Sequence, residues 1–521
     1  MKNFSYLFIF ILPIILTQCT SSGGKQEAQP SVEKEEVSEL GNISIEVSGS
    51  AEARPYFIEG LLLMHSFEYE DAAEKFIAAQ EIDTTFAMAY WGEAMTKNHP
   101  LWRAQFTEEA QAILMKLAPT KEERMALAKT AFEKDMLEGA EILFGEGVKE
   151  DRDVLYQNHM ETLYQKYPGN HEVAALYALS VLGGVKEGRD YEAYGKAATI
   201  AQSIIAENAN HPGALHYTIH AYDDPGHAFK ALEAANRYSK VAPDATHALH
   251  MPSHIYIALG MWDEVISTNI VSYNASVERM KNKGLDNDAR GYHAYKWLMY
   301  ACMQKGEYEQ ARTYVDSMKQ YCYEKPSPRA RSHFIQMRAL YLSETDGWNN
   351  PLASDTVSFD DLNLSIQAIQ RFVDGSIAYQ QKDKKALTTV IEKLSTAIEE
   401  ARNTALAKGG AMCSGVSGYN QTASKLDINK SQVMLHELTA FQALLDNNEN
   451  QAIASMKAAV DLEEATSFSF GPPEIIKPAP ELYGEFLLTK GDKSSAKLMF
   501  EKVLERAPKR MISTRALEKT S

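Results

Sequence analysis

Apolar and small residues recur along this chain at helical spacing, and the recurrence itself repeats. From Ala53 to Phe86, Gly60, Tyr69, Ala72, Phe76 and Ala79 fall at positions 8, 17, 20, 24 and 27 of a roughly 34-residue frame. Such a frame describes two helices, with small residues where they approach closely and aromatic residues filling the gap between units. A second unit begins at Ala87 and puts Ala94 at position 8. From Pro212, Ala231, Ala235 and Pro243 fall at 20, 24 and 32; from Thr246, Ser253 and Trp262 fall at 8 and 17; from Tyr292, Tyr308 and Ala311 fall at 17 and 20. A unit from Lys477 carries Gly484, Ala496, Phe500 and Pro508 at 8, 20, 24 and 32. Weaker units span Glu172 to Asn210 and Val433 to Glu464. Helix-ending runs such as Tyr167-Pro168-Gly169-Asn170 and Ala242-Pro243-Asp244 separate them. No stretch sustains strand alternation.

This is the pattern of tetratricopeptide repeats (TPR), and it predicts an all-α fold, a superhelical solenoid of antiparallel helix pairs. The solenoid is expected over residues 53–344, with a helical segment at 345–430, further repeats at 431–511 and a tail at 512–521. Two loops interrupt the middle segment, Thr345 to Asp360 and the Gly/Ser-rich Lys408 to Ser424. Each repeat needs its neighbour to bury a face, so the partner-facing surface is the concave one, lined by positions 2, 5, 9, 12 and 13 of the first helix of each pair.

Charge narrows the partners. The 70 acidic against 53 basic side chains give a net −17, which repels phosphate backbones and argues against nucleic acid. The N-terminus reads as an export signal. Met1-Lys2-Asn3 precedes an apolar run from Phe4 to Leu16, too short to span a bilayer. Leu16-Thr17-Gln18-Cys19 resembles a lipobox, with Cys19 as the lipidated residue; Gln18 departs from the usual small residue, and ordinary secretory cleavage is the alternative. Residues 1–19 are thus expected to be a lipoprotein-type signal and residues 20–52, polar and poor in apolar residues, a disordered tether. That places the chain in a bacterial cell envelope, facing the periplasm or the outside, held to the membrane by a lipid anchor. Cys302, Cys322 and Cys413 are too few for a disulfide framework.

Histidine changes the picture most. Seven of the 14 lie between His211 and His254. In frame, His216 and His220 sit at positions 5 and 9 of one unit, His247, His250 and His254 at 2, 5 and 9 of the next, and His293 at 2 of the third. His216/His220 and His250/His254 are i,i+4 pairs, each on one helix face with Cβ atoms roughly 5–6 Å apart. With helices packed roughly 8–10 Å apart, four imidazoles converge in the groove. Neutral imidazole ligates zinc, copper and iron. The expected ligands are His216, His220, His250 and His254, with His247, His293, Asp223 and Asp224 additional or orienting. The same surface also suits a peptide or acidic ligand without metal. Pro252 starts or bends a helix; a helix starting there would leave His247 and His250 in the preceding turn. No His-Glu-x-x-His occurs, which argues against a zincin protease. His65 and His99 at position 13, with Trp91 and Trp102, are further groove candidates; the alternative is that the histidines cap their helix ends and the tryptophans pack between repeats.

The blocks Gly60-Leu-Leu-Leu-Met-His65, Ala87-Met-Ala-Tyr-Trp-Gly92, Asn98-His-Pro-Leu-Trp102, His216-Tyr-Thr-Ile-His220 and His247-Ala-Leu-His-Met-Pro-Ser-His254 resemble a family of exported bacterial TPR proteins. The resemblance implies the fold and export, and marks the histidine blocks as a site without naming a reaction. Three functions follow as expectations: a groove binding a protein, peptide or small ligand, with a His-lined metal site; a metal-dependent hydrolase or oxidoreductase using that cluster; or a SusD-like glycan-binding lipoprotein.

Overall fold

Phe76 shows how the repeat holds together. Its ring fills the space that Gly60 and Gly92 leave open, where a Cβ would stand 2.9 and 2.4 Å from it. One aromatic side chain thus locks the Tyr69–Ile82 helix between the Arg54–His65 helix of its own pair and the Ala87–Met95 helix of the next. Phe500 repeats the relation near the other end, where a Cβ on Gly484 would stand 2.9 Å from its ring. These contacts explain why the frame demands a small residue at position 8 and an aromatic at 24.

The computed structural model describes residues 39–407 and 423–520. The chain is an all-α solenoid of TPR-type helix pairs. The pairs that matter for the site are Pro212–Tyr222 with Leu232–Val241, then Thr246–His250 and Pro252–Ala258 with Trp262–Asn282, then Tyr292–Gln304 with Tyr308–Glu324. The one sheet among the described residues is a two-residue antiparallel pairing of Asn98–His99 with Ala104–Gln105, around a turn that carries Trp102.

The superhelix curls back on itself. Arg279 donates to Asp71 at 2.8 Å, joining residues 208 apart, and Thr246 donates to Glu68 at 2.6 Å. At the far end the buried Arg510 guanidinium bonds Glu481 and the Tyr300 hydroxyl, fastening the last repeats to the Tyr292–Gln304 helix.

Two segments depart from the expected organisation. Residues 39–52, read as part of a solvated tether, lie along the solenoid: Ile43, Ile45 and Val47 pack on the core while Asn42, Ser44 and Glu46 face solvent. This is period-two alternation in extended backbone, too short to stand out from sequence. Asn42 N–H donates to the Asn210 carbonyl at 3.0 Å, and Leu40 is buried. The Thr345 to Asp360 loop likewise inserts Leu352 into the core. Cys302 and Cys322 are buried free thiols. The signal, the tether before Glu39, Cys19, Cys413 and most of the Lys408 to Ser424 loop lie outside the described residues.

Candidate metal centre

The helix that carries the second histidine block does break at Pro252, but without losing phase. Met251, between the two segments, keeps right-handed helical backbone (φ −54°, ψ −36°), and its N–H donates to the His247 carbonyl at 3.0 Å. Proline stands at the first position of the new segment, where no amide donor is needed. Ser253 Oγ donates to the His250 carbonyl at 2.7 Å, satisfying an acceptor at the break. His250 and His254 therefore remain neighbours, with ring centroids 5.2 Å apart.

All six groove histidines come together, in two groups of three, with His220, Asp223 and His254 forming a further group that overlaps both. His216, His220 and His247 each offer a ligand atom within 4.8 Å of the others, and so do His250, His254 and His293. The four expected ligands do not fall into one such group; His247 and His293, expected as accessory, each complete a triad. Between the groups, the His220 and His254 rings meet edge-on at 5.3 Å and His247 and His250 lie 6.2 Å apart.

In three of the six rings one nitrogen is held by a hydrogen bond, which fixes the direction of the other. His216 Nδ1 donates to the His65 carbonyl at 2.7 Å. His250 Nδ1 donates to Asn269 Oδ1 at 2.7 Å, and that amide is oriented by donating to the Val265 carbonyl. His254 Nδ1 donates to Asp223 Oδ2 at 3.1 Å, and the same oxygen lies 3.5 Å from His220 Nδ1. These partners only accept, so each donating Nδ1 carries the proton and Nε2 keeps its lone pair. The Nε2 atoms of His216, His220, His247 and His250 are buried and have no hydrogen-bond partner. Burial pushes His216, His220, His247, His254 and His293 well below the usual imidazole range, and His250 to about 4. At neutral pH the cluster is therefore uncharged and able to ligate. An oriented Nδ1 with a free Nε2 is the arrangement that outer partners impose on metal-ligating histidine.

The walls are aromatic. Phe67 lies 4.3, 6.0 and 5.6 Å, centroid to centroid, from His216, His220 and His247. It has a left-handed φ of +57°. In the equivalent turns of other repeats that left-handed position is taken by glycine (Gly260, Gly306, Gly491) or by a polar residue (Asp346, Lys382, Asn447). Phenylalanine pays a steric cost there that its contacts with three imidazoles account for. Trp297 covers the second group, 4.9, 4.6 and 5.3 Å from His250, His254 and His293. Residues 466–478 close over it from the C-terminal side. Phe470 lies 4.9 Å from the His254 ring, and Gly471 packs so tightly on Trp297 that a Cβ would stand 2.5 Å from it. The four expected ligands are consequently only 0–7% exposed.

The remaining candidates take other places. Asp223 also pairs with Arg189, so one carboxylate links both histidine groups and is itself anchored. Asp224 turns away, accepting from Gly226 N–H and His227 Nδ1, and borders a cavity of about 880 Å³ lined by Arg189, His227, Lys430 and Glu474. Trp91, expected on the groove, is buried in the core. Trp102 and His99 meet edge-on beside the first group, Trp102 6.2 Å from His247, while His99 Nε2 is spent on the Thr96 carbonyl. The His65 ring is not in the cluster either; it joins a separate buried group with Glu172 and His211. Sequence reasoning missed Phe67, Glu68, Arg189, Asn269 and Phe470. Only Phe67 left a signal, as an aromatic where the sister turns have glycine or a polar residue.

No family model matches the chain, and no curated protein matches it in sequence. Among solved structures it is similar to yeast Tom70 (13% identity, TM-score 0.33, covering 90% of this chain and 88% of that one). It is also similar to Cut9–Hcn1 of the APC/C (10%, TM-score 0.37, 92% and 78%) and to the human IFIT1 dimer with m7Gppp-AAAA (12%, TM-score 0.36, 91% and 95%). At this level of likeness the fold class rests on the chain's own helix pairs. They define a TPR-type helical repeat protein, several of whose His, Asp and Glu groups could hold a metal.

Proposed function

We propose that this chain is an exported, envelope-anchored TPR metalloprotein that holds transition metal on the histidines of its concave groove. The observation that carries this reading is the set of four buried, unpartnered Nε2 atoms, on His216, His220, His247 and His250, within histidine triads whose ligand atoms lie within 4.8 Å of one another. Leaving a buried acceptor unpaired costs about 1–3 kcal/mol each, so the arrangement makes sense as a donor set for an ion. Zinc, copper or iron suits an all-imidazole site; among the described residues no thiolate joins it.

The donor count favours metal-assisted chemistry over a purely structural ion. Each group offers three imidazoles, and among the described residues no fourth His, Cys, Asp or Glu completes it. Three protein ligands with a position left for water or substrate is the pattern of catalytic rather than structural zinc sites. The cover of residues 466–478 suits a small molecule at the centre better than an extended peptide. A protein or peptide partner, which the fold class suggests, would engage surface outside the histidine-lined stretch. The envelope location rests on the N-terminal signal and the Cys19 motif.

Elemental analysis of untagged protein tests the reading. At least one equivalent of transition metal should accompany each chain, and the double variant His220→Ala, His254→Ala should lose it. Metal-free protein that also takes up no zinc or copper on addition would sink the proposal.

A further inference from the structure

Resting on the metal reading above, we infer that the groove is built for two metal ions, one on His216, His220 and His247 and one on His250, His254 and His293, with Asp223 positioning a ligand of each. A single ion cannot use the whole cluster. With metal–nitrogen bonds of about 2 Å, ligand nitrogens around one tetrahedral ion lie roughly 3–4 Å apart. Each triad has its ligand atoms within 4.8 Å of one another, a spread that modest side-chain rotation closes, and the four histidines of the two i,i+4 pairs do not form one such group.

The two triads are built alike. Each combines an i,i+4 pair on one helix with a third imidazole from the start of the next repeat's first helix: His247 at the second residue of Thr246–His250, His293 at the second residue of Tyr292–Gln304. The i,i+4 pair of the second triad follows His247 on the same helical run, so one repeat serves both ions. The superhelix therefore presents the same three-nitrogen unit twice, one repeat apart. Each unit has its own aromatic wall, Phe67 for the first and Trp297 for the second. Asp223 couples them, since one of its oxygens faces Nδ1 of His220 in the first triad and of His254 in the second. Paired ions in such a setting would act together on one small ligand lying between them.

Cobalt(II) and zinc titrations of chelator-stripped, full-length protein test this. The d–d absorbance of cobalt should rise until the second equivalent and then stop. Desalted protein should carry two zinc per chain, one in His247→Ala, one in His293→Ala, and none in the double variant. His247 and His293 are the less buried members of their triads, so their truncation is the gentlest available. Saturation of the wild type at one equivalent overturns the two-ion inference while leaving the metal reading intact, as does complete loss of zinc in either single variant. No binding of either ion removes both. The cobalt titration uses unaltered protein and decides the matter even if a variant does not fold.

Discussion

Two buried histidine clusters meet at one helix, and they differ most in how their ring nitrogens are satisfied. In the first, His65, Glu172 and His211 are all fully buried and every ring nitrogen is used. His65 Nε2 and His211 Nε2 donate to the two Glu172 oxygens at 2.8 and 3.0 Å; His65 Nδ1 accepts from the Tyr217 hydroxyl at 2.9 Å; His211 Nδ1 accepts from Ala214 N–H at 3.1 Å and caps the Pro212–Tyr222 helix. In the second, one turn along that helix, His216 and His220 have their Nδ1 sides held or faced and their Nε2 sides free. Both are built on buried imidazoles. What separates a structural network from a candidate site is satisfaction: the first cluster closes on itself, and the second is closed only by something that accepts nitrogen lone pairs.

The sharpest way to break the comparison is at Glu172. Burial opposes its ionisation, but the two imidazoles outweigh burial and hold the carboxyl at about 2. Glu172→Gln should therefore cost about 3 kcal/mol in denaturant unfolding, as loss of one partner of a buried pair does, yet leave metal per folded chain unchanged. The sign with pH follows from a folded value below the unfolded carboxylate value of about 4.3. The stabilisation is complete above the unfolded value and is lost as pH falls towards 2. Wild type should thus weaken more steeply than Glu172→Gln across that window. Metal loss in Glu172→Gln would show that the two clusters are one unit.

Phe67 stands on the boundary, its ring against His216 and also 6.2 Å from Tyr217. Phe67→Ala should cost about 3 kcal/mol for the lost buried ring. Phe67→Gly removes the same ring but relieves the left-handed backbone, so it should be the more stable of the two by about 1 kcal/mol. Equal stabilities by thermal melting would mean the turn is unstrained. A smaller effect is expected at Asp223. Asp223→Asn should weaken metal binding about 10–100-fold, in the range seen when an outer partner of a ligating histidine is removed. Because Asp223 faces one ring of each triad, both equivalents should weaken together in a competition titration. Weakening of only one would confine its role to that triad.

The fold was legible because its determinants are local and repeated. Gly60 and Phe76 belong to one 34-residue frame, and their contact is written in their spacing. The histidines were legible to the same depth: positions 2, 5 and 9 of successive repeats predicted that they would gather, and they do. Their sorting into two triads was not legible, since which rings meet across helices depends on superhelical curl. Nor was the exclusion of His65, whose partner Glu172 lies 107 residues away. Trp91 was misplaced for a related reason: a groove position close to a tight glycine contact, at Gly92, is drawn into the core. Residues 39–52 and 466–478 pack through contacts with distant repeats, which no local pattern announces.

Pro252 carries the smallest expected effect and the most specific question about the second triad. The sequence leaves open whether this residue breaks the register of His250 and His254. The structure keeps helical backbone through Met251, so helical phase, rather than the bend, sets those two rings side by side. Pro252→Ala restores an amide donor and a good helix former at a position that already has helical geometry. It should change stability by less than about 1 kcal/mol, the gain in helix propensity being offset by the freer unfolded chain. Metal content and affinity at both triads should stay as in wild type. If instead the ion on His250, His254 and His293 were lost while the other remained, the bend itself would be the positioning device. The two triads would then differ in how they are built, one on a straight helix and one on a proline hinge.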